Sequence, residues 1–340
     1  MQPDLDDDRI QALADLFDQS AEQLADHFAE LAVATLVTVR LMLLTEVRNL
    51  LRTLRKKLQQ WFRDDWSSIV HEVATEVYDD RDFEFLENEP ESSFFGNVQE
   101  ADEREIATTF AAAMLIGGVR AVTLKLRQDL TAAINSTEGV AVRLSRGVLS
   151  DVPAKHLARL QALRRQQVVS AATSTEPELA AIRLQLRETF RTSLVRVIGT
   201  NARTYAYDFK YYAALAVSQA KENTRTALAT ERVAAADHDL VQISKNPSLI
   251  GDYCDLYRGK VFSLSGSHAI FPPLSSAPNG GPPFHPWCRH TIKPFDDSGM
   301  TDDQRRSLVI PAQFQRMAVF GATPSQFQTA YRLFRRLGPE

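Results

Sequence analysis

Two short runs near the C-terminal end hold the residue types that could bind a metal or attack a substrate. Cys254 opens the first run, and the second contains His285, Cys288 and His290. Thiolates and imidazoles are ligands that zinc prefers, and structural zinc sites use four of them. A bound metal would also hold a loop-rich segment in shape. The sequence therefore predicts a candidate structural zinc site formed by these four side chains.

The two cysteines admit two other interpretations. A disulfide between Cys254 and Cys288 is one, although the acidic start of the chain is unlike a secretory leader and predicts synthesis in a reducing compartment. In the other, both cysteines are buried as small apolar groups and the histidines hydrogen-bond to loop carbonyls. That arrangement is the commonest for such residues, and all three interpretations stay open at this point.

A catalytic use of the same residues is less compatible with the sequence. Cys288 with His285 or His290 supplies a nucleophile and a base. Side chains two or three residues apart rarely meet as a catalytic pair, however, and no orienting acid is recognisable beside them. The sequence also contains no glycine-rich phosphate loop, acidic metal pair or nucleophile elbow. We therefore expect no enzymatic activity, and no cofactor other than a structural zinc ion.

Charge is distributed unevenly along the chain. The 340 residues carry a net charge of −4, but residues 1–100 hold 22 acidic and 9 basic side chains, against 21 and 30 in the remainder. Such asymmetry indicates either that the two ends face different neighbours or that the charge of helical surfaces simply varies. With 44% hydrophobic residues, the chain can bury one large core or several smaller ones.

The N-terminal segment, residues 1–86, is predicted to form one or two very long helices, as a hairpin or an arm. Residues 8–78 contain neither proline nor glycine, and apolar residues recur at helical spacing. The most apolar stretch, residues 31–44, is too short to cross a bilayer and is predicted to be a helix buried among others. A basic run at residues 48–63 is either a solvated face or a surface for DNA phosphates or an acidic partner.

Residues 87–101 are predicted to be an exposed loop, and residues 102–236 a helical body. Gly117-Gly118 indicates a kink or a close helix crossing. One predicted helix has an apolar face from Leu179 to Val197, flanked by a stripe of arginines (Arg183, Arg187 and Arg191), and a further helix is predicted from Thr200 to about Ala236.

The pattern changes to an alternation typical of strands after Asp237. Strands are predicted at 240–244, 260–265 and 290–293, separated by loops rich in proline and glycine. This module, residues 237–296, is followed by a helical tail, residues 297–340. The predicted fold is mainly α with a small C-terminal α+β module: an elongated helical body, a short-stranded loop-rich sheet and terminal helices.

The two runs at this separation resemble the phage minor capsid proteins related to the Mu F head-morphogenesis proteins. The similarity covers about 237–295, under a fifth of the chain. Here a lone cysteine stands in the first run, and Trp287 stands where many relatives have asparagine, which weakens any four-cysteine site. The positions that carry the resemblance are Asp239, Cys254, Gly259, Lys260, Ser263, Gly266, His285, Pro286, Cys288, Arg289 and His290.

The resemblance implies a structural role and no established reaction. It implies a virion protein, made in the bacterial host cytoplasm and located at the portal end of the head in several copies. The implied partners are the portal protein or the major capsid protein, with packaged DNA as a further candidate and no membrane partner. The alternative function is a DNA-binding accessory protein that is packaged and delivered with the phage genome, using the basic second half of the chain.

Overall fold

The computed structural model describes residues 7–80, 83, 103–169, 176–198, 204–245, 253–284, 288, 290–311, 314, 326 and 329–333. The chain is mainly helical with a small three-stranded antiparallel sheet in its C-terminal region, as the sequence predicts. The helices are α1 (Asp8–Val33), α2 (Val37–Tyr78), α3 (Glu103–Ala113), α4 (Gly117–Ser145), α5 (Ala154–Val169), α6 (Glu176–Arg191), α7 (Phe209–Ala235) and α8 (Asp302–Ser307). The strands are β1 (Val195–Ile198), β2 (Thr204–Tyr207), β3 (Leu240–Ile243), β4 (Val261–Ser263) and β5 (Ile292–Pro294).

The chain divides into two compact units, each built from two separate stretches. Unit 1 comprises Met1–Asp65 and Lys125–Val217, and unit 2 comprises Trp66–Leu124 and Ser218–Glu340. The division passes through helices α2, α4 and α7 and follows none of the segment boundaries expected from the sequence, which remain predictions.

Unit 1 has a core between α1 and α6. Phe28 of α1 packs edge to face against Phe190 of α6, with ring centroids 5.7 Å apart, and Phe17 packs in the same way on Phe209 at 4.8 Å. Such aromatic pairs add to the free energy gained by burying their surface. The helical face predicted for α1 is confirmed, since Ile10, Leu13, Phe17, Leu24, Phe28 and Leu31 are all buried.

The prediction of a buried helix over residues 31–44 is wrong. Helix α1 ends at Val33 and α2 begins at Val37, so the apolar stretch spans a corner. Its two ends are buried, but Leu36, Val37, Leu41 and Met42 are each more than half exposed. An apolar run alone cannot reveal such a corner, because Thr35 and Leu36 are compatible with helix and no glycine or proline marks the break.

The prediction of helix from Leu179 to Val197 and again from Thr200 is also wrong between α6 and α7. Strands β1 and β2 pair antiparallel there, with Val195 opposite Tyr207 and Ile198 opposite Thr204. β-Branched and aromatic residues favour strands, and four of them stand at the two ends of this pairing. Leu194 continues the apolar spacing of α6 and so conceals the change of structure.

Unit 2 contains a close crossing of α4 and α7. A Cβ atom placed on Gly118 would lie 2.9 Å from the Cβ of Ala227, so only glycine allows this approach. Helix α3 and helix α4 are bent by 101° across the residues just before the glycine pair. The predicted kink or close crossing at Gly117-Gly118 is therefore confirmed.

Arg232 of α7 fixes the end of α2 within the same unit. Its Nη1 donates to the carbonyl of Val77 at 2.6 Å, and its guanidinium lies 4.4 Å from the ring centroid of Phe83. Trp66 and Thr123 make a second buried contact, with the indole N–H donating to the hydroxyl at 3.2 Å. These polar contacts satisfy groups that would otherwise be buried without partners.

The small sheet of unit 2 has the strand order β4-β3-β5 and is antiparallel throughout. Its strands lie where the sequence predicts them, to within two residues at each start. Leu240, Val261 and Phe271 form its apolar core, and Ile270, Phe295, Leu308 and Val309 pack against it. The loops that hold the candidate site are attached to this sheet.

Within the described residues, no single helix is long and apolar enough to cross a membrane. One bent pair of helices, Ile106–Ala113 with Gly117–Ser145, passes that test by length and composition alone.

Candidate metal centre

Two chain segments of unit 2 meet at the candidate site. Cys254 lies in a short 3-10 helix, Tyr253–Leu256, while Cys288 and His290 lie on the segment that enters β5. The hydroxyl of Tyr253 donates to the carbonyl of Phe284 at 2.5 Å and so ties the two segments together beside the cysteines.

The three ligand-type atoms of Cys254, Cys288 and His290 all lie within 4.8 Å of one another. Nδ1 of His290 is 3.4 Å from Sγ of Cys288. In a tetrahedral zinc site, the bond lengths place sulfur and nitrogen ligands about 3.6 Å apart and two sulfurs about 3.8 Å apart. The cluster is therefore compatible in size with a metal site that needs little rearrangement.

The cluster is buried. The relative exposures are 1% for Cys254, 3% for Cys288 and 2% for His290. A hydrogen bond from the Cys254 thiol, together with contacts to His290 and nearby backbone N–H groups, lowers the pKa of Cys288, although burial raises it. Because the thiolate is the form that binds metals, this environment prepares Cys288 to act as a ligand.

Two buried polar atoms beside the cluster have no hydrogen-bond partner among the described residues. They are Nε2 of His290 and the hydroxyl of Tyr257. The ring of Phe284 lies next to both, at centroid distances of 6.2 Å from His290 and 4.6 Å from Tyr257. Buried groups of this kind are normally satisfied. The ring nitrogen that faces the cysteines is Nδ1, and a metal-ligating histidine normally donates a hydrogen bond from its other nitrogen, so the unpartnered Nε2 does not itself support coordination.

Of the four predicted ligands, the structure brings together Cys254, Cys288 and His290. His285 lies outside the described residues, as do Pro286 and Arg289. Both cysteines are free thiols, so no disulfide links them. The ring nitrogen of His290 contacts the sulfur of Cys288, where a loop carbonyl had been an open alternative.

Side chains two residues apart rarely meet as a catalytic pair, but Cys288 and His290 are in direct contact. Residues two apart on an extended segment point to the same side, and here the sulfur and the imidazole approach each other directly. The structure thus holds a thiol–imidazole pair of the kind that nucleophilic enzymes use. It differs from such enzymes in its burial, since 3% of the Cys288 surface is exposed.

The first motif forms a turn organised by the carboxylate of Asp239. Oδ2 accepts from the hydroxyl of Ser263 at 2.6 Å, and Oδ1 accepts from the backbone N–H of Ser265 at 2.7 Å. The Ser263 hydroxyl oxygen accepts from the N–H of Gly266, which has a φ of +73°. Glycine adopts that conformation without strain. The side chains of Asp239 and Ser263 are therefore hydrogen-bonded within the turn itself.

Gly259 and Lys260 likewise make hydrogen bonds within the module and to the helix that follows it. Gly259 has a φ of +70°, and its N–H donates to the carbonyl of Ile243. Nζ of Lys260 donates to the carbonyl of Ser307 at 2.9 Å and so joins β4 to the end of α8. Burial lowers the pKa of this lysine. Both residues therefore have structural partners within unit 2.

The aromatic residues around the cluster were not predicted from the sequence. Tyr253 and Tyr257 flank Cys254 and are both buried, and Phe284 lies against Tyr257. The hydroxyl of Tyr331 donates to the carboxylate of Asp255, the residue after Cys254, at 3.3 Å. The spacing of Tyr253 and Tyr257, four residues apart around a cysteine, was the one available signal.

The arginine stripe of α6 faces the acidic side of α1 in unit 1. Nε of Arg187 lies 2.6 Å from Asp26, Arg191 lies 3.6 Å from Glu22, and Arg183 lies 3.9 Å from Glu30. These pairs are partly exposed, so each contributes little to stability. They also account for part of the uneven charge distribution along the chain, because acidic residues of α1 pair with basic residues of α6.

The basic run of α2 is also partly paired within unit 1. Arg48 and Arg55 both contact the carboxylate of Glu138, at 3.3 and 2.7 Å. The hydrogen bond from Arg55 lowers the pKa of Glu138 below its usual value. Lys56 and Lys57 of the same run are exposed. Part of the run is therefore engaged inside the unit.

Comparison of the chain with family models, with curated proteins and with solved structures gave no match in any of the three.

Proposed function

We propose that this chain is a structural protein of a tailed-phage head, a minor capsid component at the portal end, and that it is not an enzyme. The family resemblance suggests the location. The observation that supports a structural role is that the described motif residues make their contacts with other residues of the same module or of the helix that follows it. Asp239 and Ser263 build a turn, while Cys254, Cys288 and His290 form a buried cluster.

We further propose that the cluster binds a structural zinc ion. Cys254, Cys288 and His290 would supply three ligands, and His285, three residues before Cys288 in the sequence, would supply the fourth. When bound, the ion would link the 3-10 helix around Cys254 to the segment that enters β5. Structural zinc sites are closed by four protein ligands, which suits a module with short strands and long loops.

Burial is the argument against catalysis by Cys288. A nucleophile must reach its substrate, and the sulfur of Cys288 lies beneath side chains of its own module. The lowered pKa of the thiol fits a metal ligand as well as it fits a nucleophile. The structural interpretation requires no substrate path to this sulfur.

The alternative, a DNA-binding accessory protein, has less support from the charged surfaces. The three arginines of the α6 stripe lie near carboxylates of α1, and two arginines of the α2 run share Glu138. Cations that already have acidic partners gain less from binding phosphates. A DNA affinity of the full chain that falls steeply with salt would favour the alternative.

The location is tested by particle reconstruction. Heads that contain the chain are imaged without imposed icosahedral symmetry, next to heads made without it. The proposal predicts extra density at the portal vertex and the chain in purified particles by mass spectrometry. Absence of the chain from particles, or density spread evenly over the shell, would contradict the proposal.

A further inference from the structure

The corner between α1 and α2 presents an apolar patch to solvent. We define the corner patch as Leu36, Val37, Leu41 and Met42, which are 65%, 63%, 55% and 56% exposed. Val37 and Leu41 are one helical turn apart and therefore share a face. Apolar side chains that are clustered and exposed in this way mark interaction surfaces more often than singly exposed ones do.

The loop after α4 approaches the corner. A Cβ on Gly147 of this loop would lie 2.8 Å from Nη1 of Arg40. The next residue, Val148, is 44% exposed. The loop after α4 therefore lies beside Arg40 within unit 1 and adds one more exposed apolar residue to this region.

Two arginines at the corner have backbone carbonyls as partners, and no acidic side chain of the described residues pairs with them. Arg40 donates to the carbonyl of Thr35 at 2.7 Å, and Arg164 donates to those of Leu31 and Ala34 at 3.3 Å. The Nε atoms of both arginines are buried and have no hydrogen-bond partner in the part of the chain that the structure describes. Burial and the charge of Arg40 lower the pKa of Arg164 to about 10.

Among the described residues, this corner differs from the α6 stripe and the α2 run in having no carboxylate beside its arginines. Arg187 and Arg55, for example, each contact an acid, whereas neither Arg40 nor Arg164 does so within the described part of the chain. Two like charges side by side favour an anionic neighbour. An occupant that matches the corner would therefore combine apolar groups with negative charge.

We propose that the corner patch, with Arg40 and Arg164, binds the acidic segment 84–102 of a second copy of this chain. That segment contains six acidic residues, no lysine, arginine or histidine, and three phenylalanines. Its sequence supplies both features that the corner requires: apolar side chains for the patch and negative charge for the arginines.

The proposed contact is heterologous, because the patch of one copy receives a different segment of the next. Contacts of this type join copies into rings or open chains. The inference goes beyond the proposed role in the phage head and depends neither on that location nor on zinc. It concerns only how copies of the chain recognise each other.

A synthetic peptide of residues 84–102 tests the recognition. Fluorescence anisotropy with the full-length protein should show binding that weakens as salt rises. Leu41→Ser with Met42→Ser should reduce the affinity at least about tenfold, because the patch loses its apolar surface. The matched control is Leu184→Ser, at a residue of unit 1 that is 65% exposed and outside the patch, and its affinity should be unchanged.

A mixing experiment tests the second-copy contact. Sedimentation velocity should show that the wild type self-associates with concentration, while the patch variant (Leu41→Ser, Met42→Ser) and a segment variant (Phe94→Ser, Phe95→Ser) are each monomeric. Their mixture should form a dimer that grows no further, since one partner still offers an intact segment and the other an intact patch. Circular dichroism checks that both variants are folded.

Three results would overturn the inference: a wild type that is monomeric at every concentration, a mixture that stays monomeric, or a peptide that binds the patch variant as well as the wild type. Vesicles of anionic phospholipid are the remaining probe. Binding to vesicles that requires Leu41 and Met42, without binding of the peptide, would also overturn it and would identify a lipid surface as the occupant.

Discussion

The imidazole Nδ1 of His290 lies 3.4 Å from the sulfur of Cys288, with only one residue between them in the chain. This contact, together with the nearby sulfur of Cys254, makes a compact buried cluster. The cluster joins the 3-10 helix Tyr253–Leu256 to the segment that enters the edge strand β5. Its position indicates that these side chains hold the module together.

Loss of any one cluster residue should destabilise the module strongly. We expect Cys254→Ser, Cys288→Ser and His290→Gln each to lower its free energy of unfolding by more than about 2 kcal/mol, since each removes a metal ligand. The double cysteine variant should be little worse than either single one, because the ion is already lost. Chemical denaturation followed by tryptophan and tyrosine fluorescence measures these changes.

His238→Gln is the matched control for the histidine variant. The imidazole Nε2 of His238 is hydrogen-bonded to the carbonyl of Phe295 at 2.8 Å, away from the cysteines. Its replacement should cost about 1 kcal/mol, the value of one hydrogen bond. Equal losses at His238 and His290 would argue that the cluster has no special role.

Alkylation of the cysteines should be slow in the native protein. Cys288 has a lowered pKa, which favours reaction, but its sulfur is buried. We expect burial to dominate, with iodoacetamide labelling at least about a hundredfold slower than in denaturant and faster after chelation of zinc. Fast labelling of the native, zinc-loaded chain would instead indicate an accessible nucleophile and would revive the catalytic interpretation.

Much of the fold could be predicted because its patterns are local. Helix α1 and the strands β3, β4 and β5 follow the spacing of their apolar residues. The β1–β2 hairpin was missed because Leu194 prolongs the helical spacing past the end of α6. The corner at Thr35 was missed for a different reason: no glycine or proline marks it, and its apolar residues are exposed where burial was expected.

Asp239 should stabilise the module through its turn. Asp239→Ala removes the hydrogen bonds from Ser263 and Ser265 and should cost about 1–2 kcal/mol. Asp296→Ala is the control, because this fully exposed carboxylate also caps a local turn, through Ser298. The control should leave the stability almost unchanged, because solvent screens an exposed carboxylate. Urea unfolding of both variants gives the comparison.

The contribution of Asp239 should depend on pH. Burial raises the pKa of this carboxyl, but the hydrogen bonds from Ser263 and Ser265 outweigh it, so the pKa in the folded protein is lowered. The stabilisation is therefore complete above the ordinary carboxyl pKa of about 4 and is lost as the pH falls through the lowered value. The difference in stability between the wild type and Asp239→Asn should shrink over that range. A difference that grows on acidification would contradict this assignment.

Gly118 and Gly117 form a matched pair for testing the α4–α7 crossing. Gly118→Ala should destabilise by about 1–3 kcal/mol, because the new Cβ would lie 2.9 Å from that of Ala227. Gly117→Ala meets no atom within 4 Å and should be neutral or slightly stabilising. Thermal unfolding of the two variants separates a steric effect at the crossing from a general effect of alanine in this helix.

The candidate site was predicted in its residues and only partly in its geometry. Cys288 and His290 are two apart on an extended segment, and this spacing puts both side chains on the same side. Their approach to Cys254 depends on the Tyr253–Phe284 contact and on aromatic packing between residues far apart in sequence, which periodicity does not reveal.

The zinc content of the purified full-length chain tests the central claim most directly. Protein made in zinc-supplemented cells is passed through a desalting column and analysed by mass spectrometry for metals. We predict about one zinc ion per chain, retained in His238→Gln and lost in Cys288→Ser and His290→Gln. A wild-type chain that is fully folded, free of metal and unaffected by a zinc chelator would contradict the claim.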